Sequence, residues 1–169
     1  MSNIVPDWFR RPVRAIADAM HGSEKPPQAV AAQPAPEHGQ PRARVLCVDD
    51  NPQVLRLLKR QLGTAYDLSI AQTAQDALAL MAAGEPFDVI VSDLRMPDVH
   101  GLTFLKKARE LYPATERIIL TGLPDPTTMS VARSAAGAEQ LIVKPWTKSE
   151  LVEALENAVR RRRESGTVG

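Results

Sequence analysis

Val45-Leu46-Cys47-Val48-Asp49-Asp50 and Val89-Ile90-Val91-Ser92-Asp93 share one layout, an apolar run that ends on carboxylate. Two later runs follow it: Ile118-Ile119-Leu120 ends on Thr121, and Leu141-Ile142-Val143 ends on Lys144-Pro145. Short continuous runs of Val, Ile and Leu read as strands buried on both faces, the habit of parallel sheets. In a parallel sheet the carboxyl ends of the strands lie along one edge. Three carboxylates, a hydroxyl and an ammonium should therefore converge there, a set suited to phosphoryl transfer and a divalent metal.

The sequence between the runs carries helix signals. Asn51-Pro52 pairs an N-cap with a first-turn proline, ahead of Val54, Leu55, Leu58 and Leu62 at helical spacing. Tyr66 to Ala71 reads as a second strand. Thr73-Ala74-Gln75-Asp76 resembles a capping box with Asp in place of Glu or Gln, and opens a helix that stops at Gly84. Leu102 to Leu111 reads as a third helix, and Asp125-Pro126 caps a fourth that ends near Gly137. Thr147-Lys148-Ser149-Glu150 is a full capping box for a last helix through Leu151, Leu155 and Val159. Five βα units predict an α/β fold: a doubly wound, flavodoxin-like sheet of five parallel strands in the order 2-1-3-4-5, helices on both faces. Asp49, Asp50 and Asp93 then fall beside strands one and three, where such sheets bind ligands.

The 169 residues allow one ordinary domain plus an extension. The formal net charge of +1 excludes a global field that would draw nucleic acid or membrane. Cys47 is the only cysteine, so no internal disulfide exists, and its apolar surroundings predict an inert buried thiol. No apolar stretch approaches the roughly 18 residues of a membrane span, and no signal-peptide core is evident, so the expected location is cytoplasmic. Residues 1–22 hold Trp8, Phe9, Val13, Ile16 and Met20, the last four at the spacing of a short amphipathic helix. Residues 23–41, with five prolines among alanines and glutamines, predict a disordered linker. The globular domain is expected over 42–163, with a disordered tail at 164–169.

Three carboxylates within a few ångströms repel by about 4 kcal/mol per pair at 4 Å and an effective dielectric near 20. A hard cation with oxygen ligands resolves that repulsion, and Mg²⁺ is the natural choice. Asp93 ends the central strand before a Pro97, Gly101 turn that should leave it accessible, so it is the candidate nucleophile; a carboxylate can carry a phosphoryl group as an acyl phosphate. Metal and Lys144 would offset charge on the transferred group, and Thr121 would donate to one of its oxygens. Each piece alone has a plain structural reading: Asp-Asp before Asn-Pro as helix capping, Asp93 and Lys144 as turn residues, Thr121 as a strand end. Their joint order and common position at strand ends carry the functional reading.

Residues 44–160 resemble the receiver domain of two-component response regulators. The matching pieces are Val48-Asp49-Asp50-Asn51, Ser92-Asp93-Leu94-Arg95-Met96-Pro97-Asp98 with Gly101, Leu120-Thr121-Gly122 and Val143-Lys144-Pro145. The resemblance implies Asp93 as phosphoacceptor, and Asp49, Asp50, Asp93 and the backbone carbonyl of Arg95 around Mg²⁺. It further implies Thr121 as the switch hydroxyl, Lys144 as the phosphoryl-binding lysine and a cis Lys144–Pro145 bond. Two positions depart from the pattern: Leu141 stands where a switching aromatic is usual, and Trp146 stands where many receivers have Phe. Arg95-Met96-Pro97 with Lys144-Pro145-Trp146 looks most like receivers joined to HD-GYP phosphodiesterases or sensor kinases.

The resemblance implies a stand-alone relay, sink or adaptor, phosphorylated by a histidine kinase or phosphotransfer protein. It would have no separate catalytic or DNA-binding domain, and its output would run through protein contacts, including a dimer across the fourth-helix to fifth-helix face. A receiver-like binding module without phosphorylation is the alternative. A haloacid-dehalogenase-type phosphatase is a third reading, but Asp93-Leu94-Arg95 lacks that family's second aspartate and the acidic pair comes first rather than late.

Overall fold

The computed structural model describes residues 41–122 and 125–166. Strands and helices alternate: β1 (Arg44–Val48), α1 (Pro52–Leu62), β2 (Asp67–Ala71), α2 (Ala74–Ala83), β3 (Val89–Asp93), α3 (Gly101–Leu111), β4 (Glu116–Thr121), α4 (Pro126–Ala136), β5 (Gln140–Val143) and α5 (Lys148–Gly166). All pairings are parallel, in the order β2-β1-β3-β4-β5, as the βα alternation requires. The expectations for residues 1–22, for 23–40 and for 167–169 lie outside the described residues.

The helices begin where short polar side chains satisfy their open amides. Asn51 Oδ1 accepts from Gln53 N–H at 2.9 Å, and Asp125 Oδ1 from Thr128 N–H at 2.8 Å. With Asp in place of Glu, the box at the second helix runs through the hydroxyl alone: Thr73 Oγ1 accepts from Asp76 N–H at 3.0 Å and donates to Asp76 Oδ2 at 2.8 Å. At α5 the box closes both ways, with Thr147 N–H on Glu150 Oε2 at 2.7 Å and Glu150 N–H on Thr147 Oγ1 at 3.2 Å. The helix continues to Gly166, past the expected end at 163. Cations at 160–163 complement the dipole of its last turns, and Ser165 Oγ donates back to the Arg161 carbonyl at 2.9 Å.

Successive strand residues feed two separate cores, which explains why the strands read as unbroken apolar runs. Leu46, Val48, Ile90 and Ile119 pack with Leu78, Met81, Phe104 and Leu105 from α2 and α3. Val45, Cys47, Val89, Val91, Ile118 and Leu120 pack on the opposite face with Leu55, Leu58, Leu151 and Leu155 from α1 and α5. Arg117 departs from the apolar expectation at the start of β4, where it is only 7% exposed. Its guanidinium donates to the Thr115 carbonyl and, at 3.4 Å, to that of Gly137. Arg109 adds bonds to the Ser134 and Ala135 carbonyls at 2.9 and 3.3 Å, so two arginines cap the end of α4. Gly137 takes the left-handed conformation there, φ 59°, where a Cβ would crowd both guanidiniums at 3.2 Å.

Cys47 lies in the second core with no exposure, and burial, then the neighbouring Asp49, pushes its thiol up to about 12. The folded chain therefore keeps this proton while the unfolded chain releases it near its ordinary 9.0, so the thiol's contribution to stability is lost as pH rises between those values. Alkylation at pH 8 should leave native Cys47 unmodified and proceed only in denaturant. Stoichiometric labelling of native protein, read by intact mass, would refute its inertness.

Candidate functional site

Register brings the strand ends into line. Val48 lies opposite Ser92, Asp93 opposite Leu120 and Thr121 opposite Val143, so the residues that follow emerge along one edge. Backbone bonds hold that edge: Asp49 N–H reaches the Ala71 carbonyl at 3.2 Å, and Leu94 N–H that of Leu120 at 3.0 Å. Lys144 N–H reaches the Thr121 carbonyl at 2.7 Å. The Lys144–Pro145 peptide bond is cis.

Asp49, Asp50 and Asp93 each offer a carboxylate oxygen, and these three atoms lie within 4.8 Å of one another. Asp49 is fully buried and Asp50 is exposed, so the cluster opens to solvent on the Asp50 side. Asp93 is 7% exposed, less open than the turn after it suggests, because the start of α3 packs directly on its backbone. Lys144 Nζ sits between two members of the cluster, 2.7 Å from Asp49 Oδ2 and 2.9 Å from Asp93 Oδ1. Asn51 N–H donates to Asp49 Oδ1 at 2.9 Å, and Arg95 N–H to Asp93 Oδ2 at 3.2 Å. Each of these two carboxylates thus has one oxygen on Lys144 and the other on a backbone amide.

The electrostatics follow from burial against pairing. Burial raises the Asp49 carboxyl above its usual range, opposed by the Lys144 and Asn51 bonds and assisted by the Asp93 charge. Burial alone would lower the Lys144 ammonium, yet its bonds to Asp49 and Asp93 outweigh it and hold the amine above its ordinary value. Lys144 is therefore a fixed cation. Burial, then Arg95, lowers the His100 imidazole, in keeping with a neutral ring whose Nδ1 accepts from Leu102 N–H at 3.4 Å at the start of α3.

The structure thus gathers Asp49, Asp50, Asp93 and Lys144, and Arg95 meets this group through its amide N–H on Asp93 Oδ2. Thr121 is buried at the end of β4, beside the others in register. A hard-oxygen donor set at this spacing fits a divalent cation such as Mg²⁺. Sequence reading placed Gly101 in the turn after Asp93 but not its contact with that residue's backbone. A Cβ there would stand 2.0 Å from the Asp93 carbonyl oxygen, so only glycine lets α3 begin against the loop that carries Asp93.

Comparison with known proteins agrees with this geometry. Residues 45–156 match the family model of the response regulator receiver domain. The chain is 35% identical over 118 residues, 70% of its length, to the hydrogenase transcriptional regulatory protein HoxA of Cupriavidus necator, of which it covers 24%. It is 36% identical over 143 residues to the transcriptional regulatory protein TrcR of Mycobacterium tuberculosis, covering 82% of this chain and 54% of that one. The chain therefore spans between about a quarter and about half of these relatives. Among solved structures, the signal receiver domain of an HD domain-containing protein from Pseudomonas fluorescens superposes with a TM-score of 0.70 at 33% identity, covering 73% of this chain and 99% of that one. The Vibrio cholerae chemotaxis protein CheY4 superposes with a TM-score of 0.66 at 31% identity, covering 70% and 99%. No helix among the described residues is long and apolar enough to cross a membrane.

Proposed function

The chain belongs to the response regulator receiver domain family, and on that premise we propose that Asp93 accepts a phosphoryl group from the phosphohistidine of a histidine kinase or phosphotransfer protein. The observation that carries this reading is Lys144 Nζ bridging Asp49 and Asp93, next to a third carboxylate, at the carboxyl edge of the sheet. An Asp93 carboxylate oxygen forms the bond to phosphorus as the phosphorus–nitrogen bond breaks, and the bond's electron pair leaves with the imidazole, which takes up a proton. Asp49, Asp50, Asp93 and the Arg95 carbonyl would hold Mg²⁺, which would supply positive charge to offset that of the phosphoryl oxygens. Lys144 re-aims from Asp93 to a phosphoryl oxygen, and Thr121 donates to another. No separate catalytic machinery is needed, since the family is not a class of independent enzymes.

Output then runs through protein contacts in the cytoplasm. The family membership assigns that output, to a downstream partner or a second copy, to the α4–β5–α5 face; apolar exposure does not single it out, since Ile70 and Leu80 are as open as Val131 and Val143. The intact acid cluster and lysine weigh against a binding module that has abandoned phosphorylation. Incubation with acetyl phosphate and Mg²⁺ should add the mass of one phosphoryl group to the folded chain, and chelation by EDTA should prevent it. A folded protein that gains no mass with any phosphodonor would favour the binding-module reading instead.

A further inference from the structure

Lys144 must keep its ammonium within hydrogen-bonding distance of two carboxylates at the end of a flexible four-carbon stem, so the backbone at its root has to be held. On its N-terminal side the sheet holds it: Val143 pairs with Thr121, and Lys144 N–H bonds the Thr121 carbonyl. On its C-terminal side the sheet has ended, and α5 begins only at Lys148. Trp146 lies in that interval. Its indole packs against the core beneath α1 and α5, and Nε1–H donates to Gln61 Oε1 at 3.1 Å, partly buried. Gln61 belongs to α1, the helix that leaves the Asp49-Asp50-Asn51 turn. The bond therefore joins the loop after the lysine to the helix after the acid pair, 85 residues away in the chain.

We propose that Trp146 and Gln61 form a clamp that positions Lys144 against Asp49 and Asp93. The inference rests on the phosphoacceptor reading above and assigns two positioning residues to that site. A phenylalanine at position 146 would fill the same core. What tryptophan adds is the N–H donor, and Gln61 is the acceptor that gives it direction. The indole touches no reacting atom, so its effect appears in the rate of transfer rather than in binding of phosphodonor or metal.

The test is a double-mutant cycle on phosphorylation by acetyl phosphate, with Trp146→Phe, Gln61→Leu and the pair combined. Each single variant should lower the limiting rate roughly three- to tenfold, the range of one hydrogen bond, with KM for acetyl phosphate and Kd for Mg²⁺ unchanged. The double variant should fall no further, because one bond is being removed twice. Gln61→Glu, which keeps an acceptor oxygen, should retain the rate. Wild-type rates in both single variants, or losses that multiply in the double variant, would overturn the clamp. A second readout needs no transfer: exchange of the Lys144 amide should quicken in both single variants. If the wild type takes up no phosphoryl group, the functional reading fails by itself; faster Lys144 exchange would still support the clamp, and unchanged exchange would overturn it.

Discussion

Asp93→Asn should abolish phosphoryl uptake while the protein stays folded. The substitution keeps size and shape, and an amide oxygen can still accept from Arg95 N–H where the carboxylate does at 3.2 Å. Lys144 retains Asp49 at 2.7 Å, so its ammonium is not left unpaired. The amide lacks the anionic oxygen that would bond phosphorus, and no acyl phosphate can form on it. Stability should fall by about 1 kcal/mol, because the Lys144 bond at 2.9 Å is lost and the Arg95 bond becomes neutral while carboxylate repulsion is relieved. Intact mass after acetyl phosphate and Mg²⁺ reads the first effect and urea unfolding the second. A phosphoryl group on the folded variant would move the acceptor away from Asp93.

Much of this site is visible in the sequence because position along a buried parallel strand is a strong constraint. Val45 to Val48 and Val89 to Val91 alternate between two cores, so both faces must be apolar, and the first polar residue marks the edge of the sheet. Asp49, Thr121 and Lys144 are such first residues, Asp93 comes directly after one, the buried Ser92, and the pairing register brings the four together. The capping residues Asn51, Thr73, Asp125 and Thr147 act within four residues of chain, so local chemistry alone reveals them.

What stayed hidden depends on contacts between distant segments. Arg117 looks out of place in a buried strand until the carbonyls of Thr115 and Gly137 are seen around its guanidinium. Trp146 reads as a core aromatic, and only the fold puts Gln61 beside its N–H. Leu141 is partly buried against the first core, where an aromatic had been the family expectation, and packing alone does not assign it a switching role. Asp93 looked open from its turn residues, yet the turn folds the next helix down onto it.

That close approach makes Gly101→Ala the substitution with the largest expected cost to the fold. Its β-carbon would meet the Asp93 carbonyl oxygen at 2.0 Å, the Leu94 Cα at 2.9 Å and the Asp93 carbonyl carbon at 3.0 Å. All three are backbone atoms, so no side chain can rotate out of the way. The same stretch is held by Gly101 N–H on the Leu94 carbonyl at 2.9 Å and by Ser92 Oγ–H on the Asp93 carbonyl at 3.0 Å. The start of α3 must therefore retreat, or β3 must shift at the residue that carries the candidate nucleophile. Overpacking of this kind costs about 3 kcal/mol, and thermal unfolding should fall by about 10 °C. Phosphoryl uptake should slow in the fraction that remains folded, since displacement at a reacting group costs rate even when all the side chains are present. Gly122→Ala supplies the contrast, because among the described residues nothing stands within 4 Å of its Cβ and its backbone does not need glycine; stability should stay within about 0.5 kcal/mol of wild type. Equal melting temperatures for the two variants would show that α3 is not seated against Asp93 as described, and with it would go the steric reason for glycine at position 101.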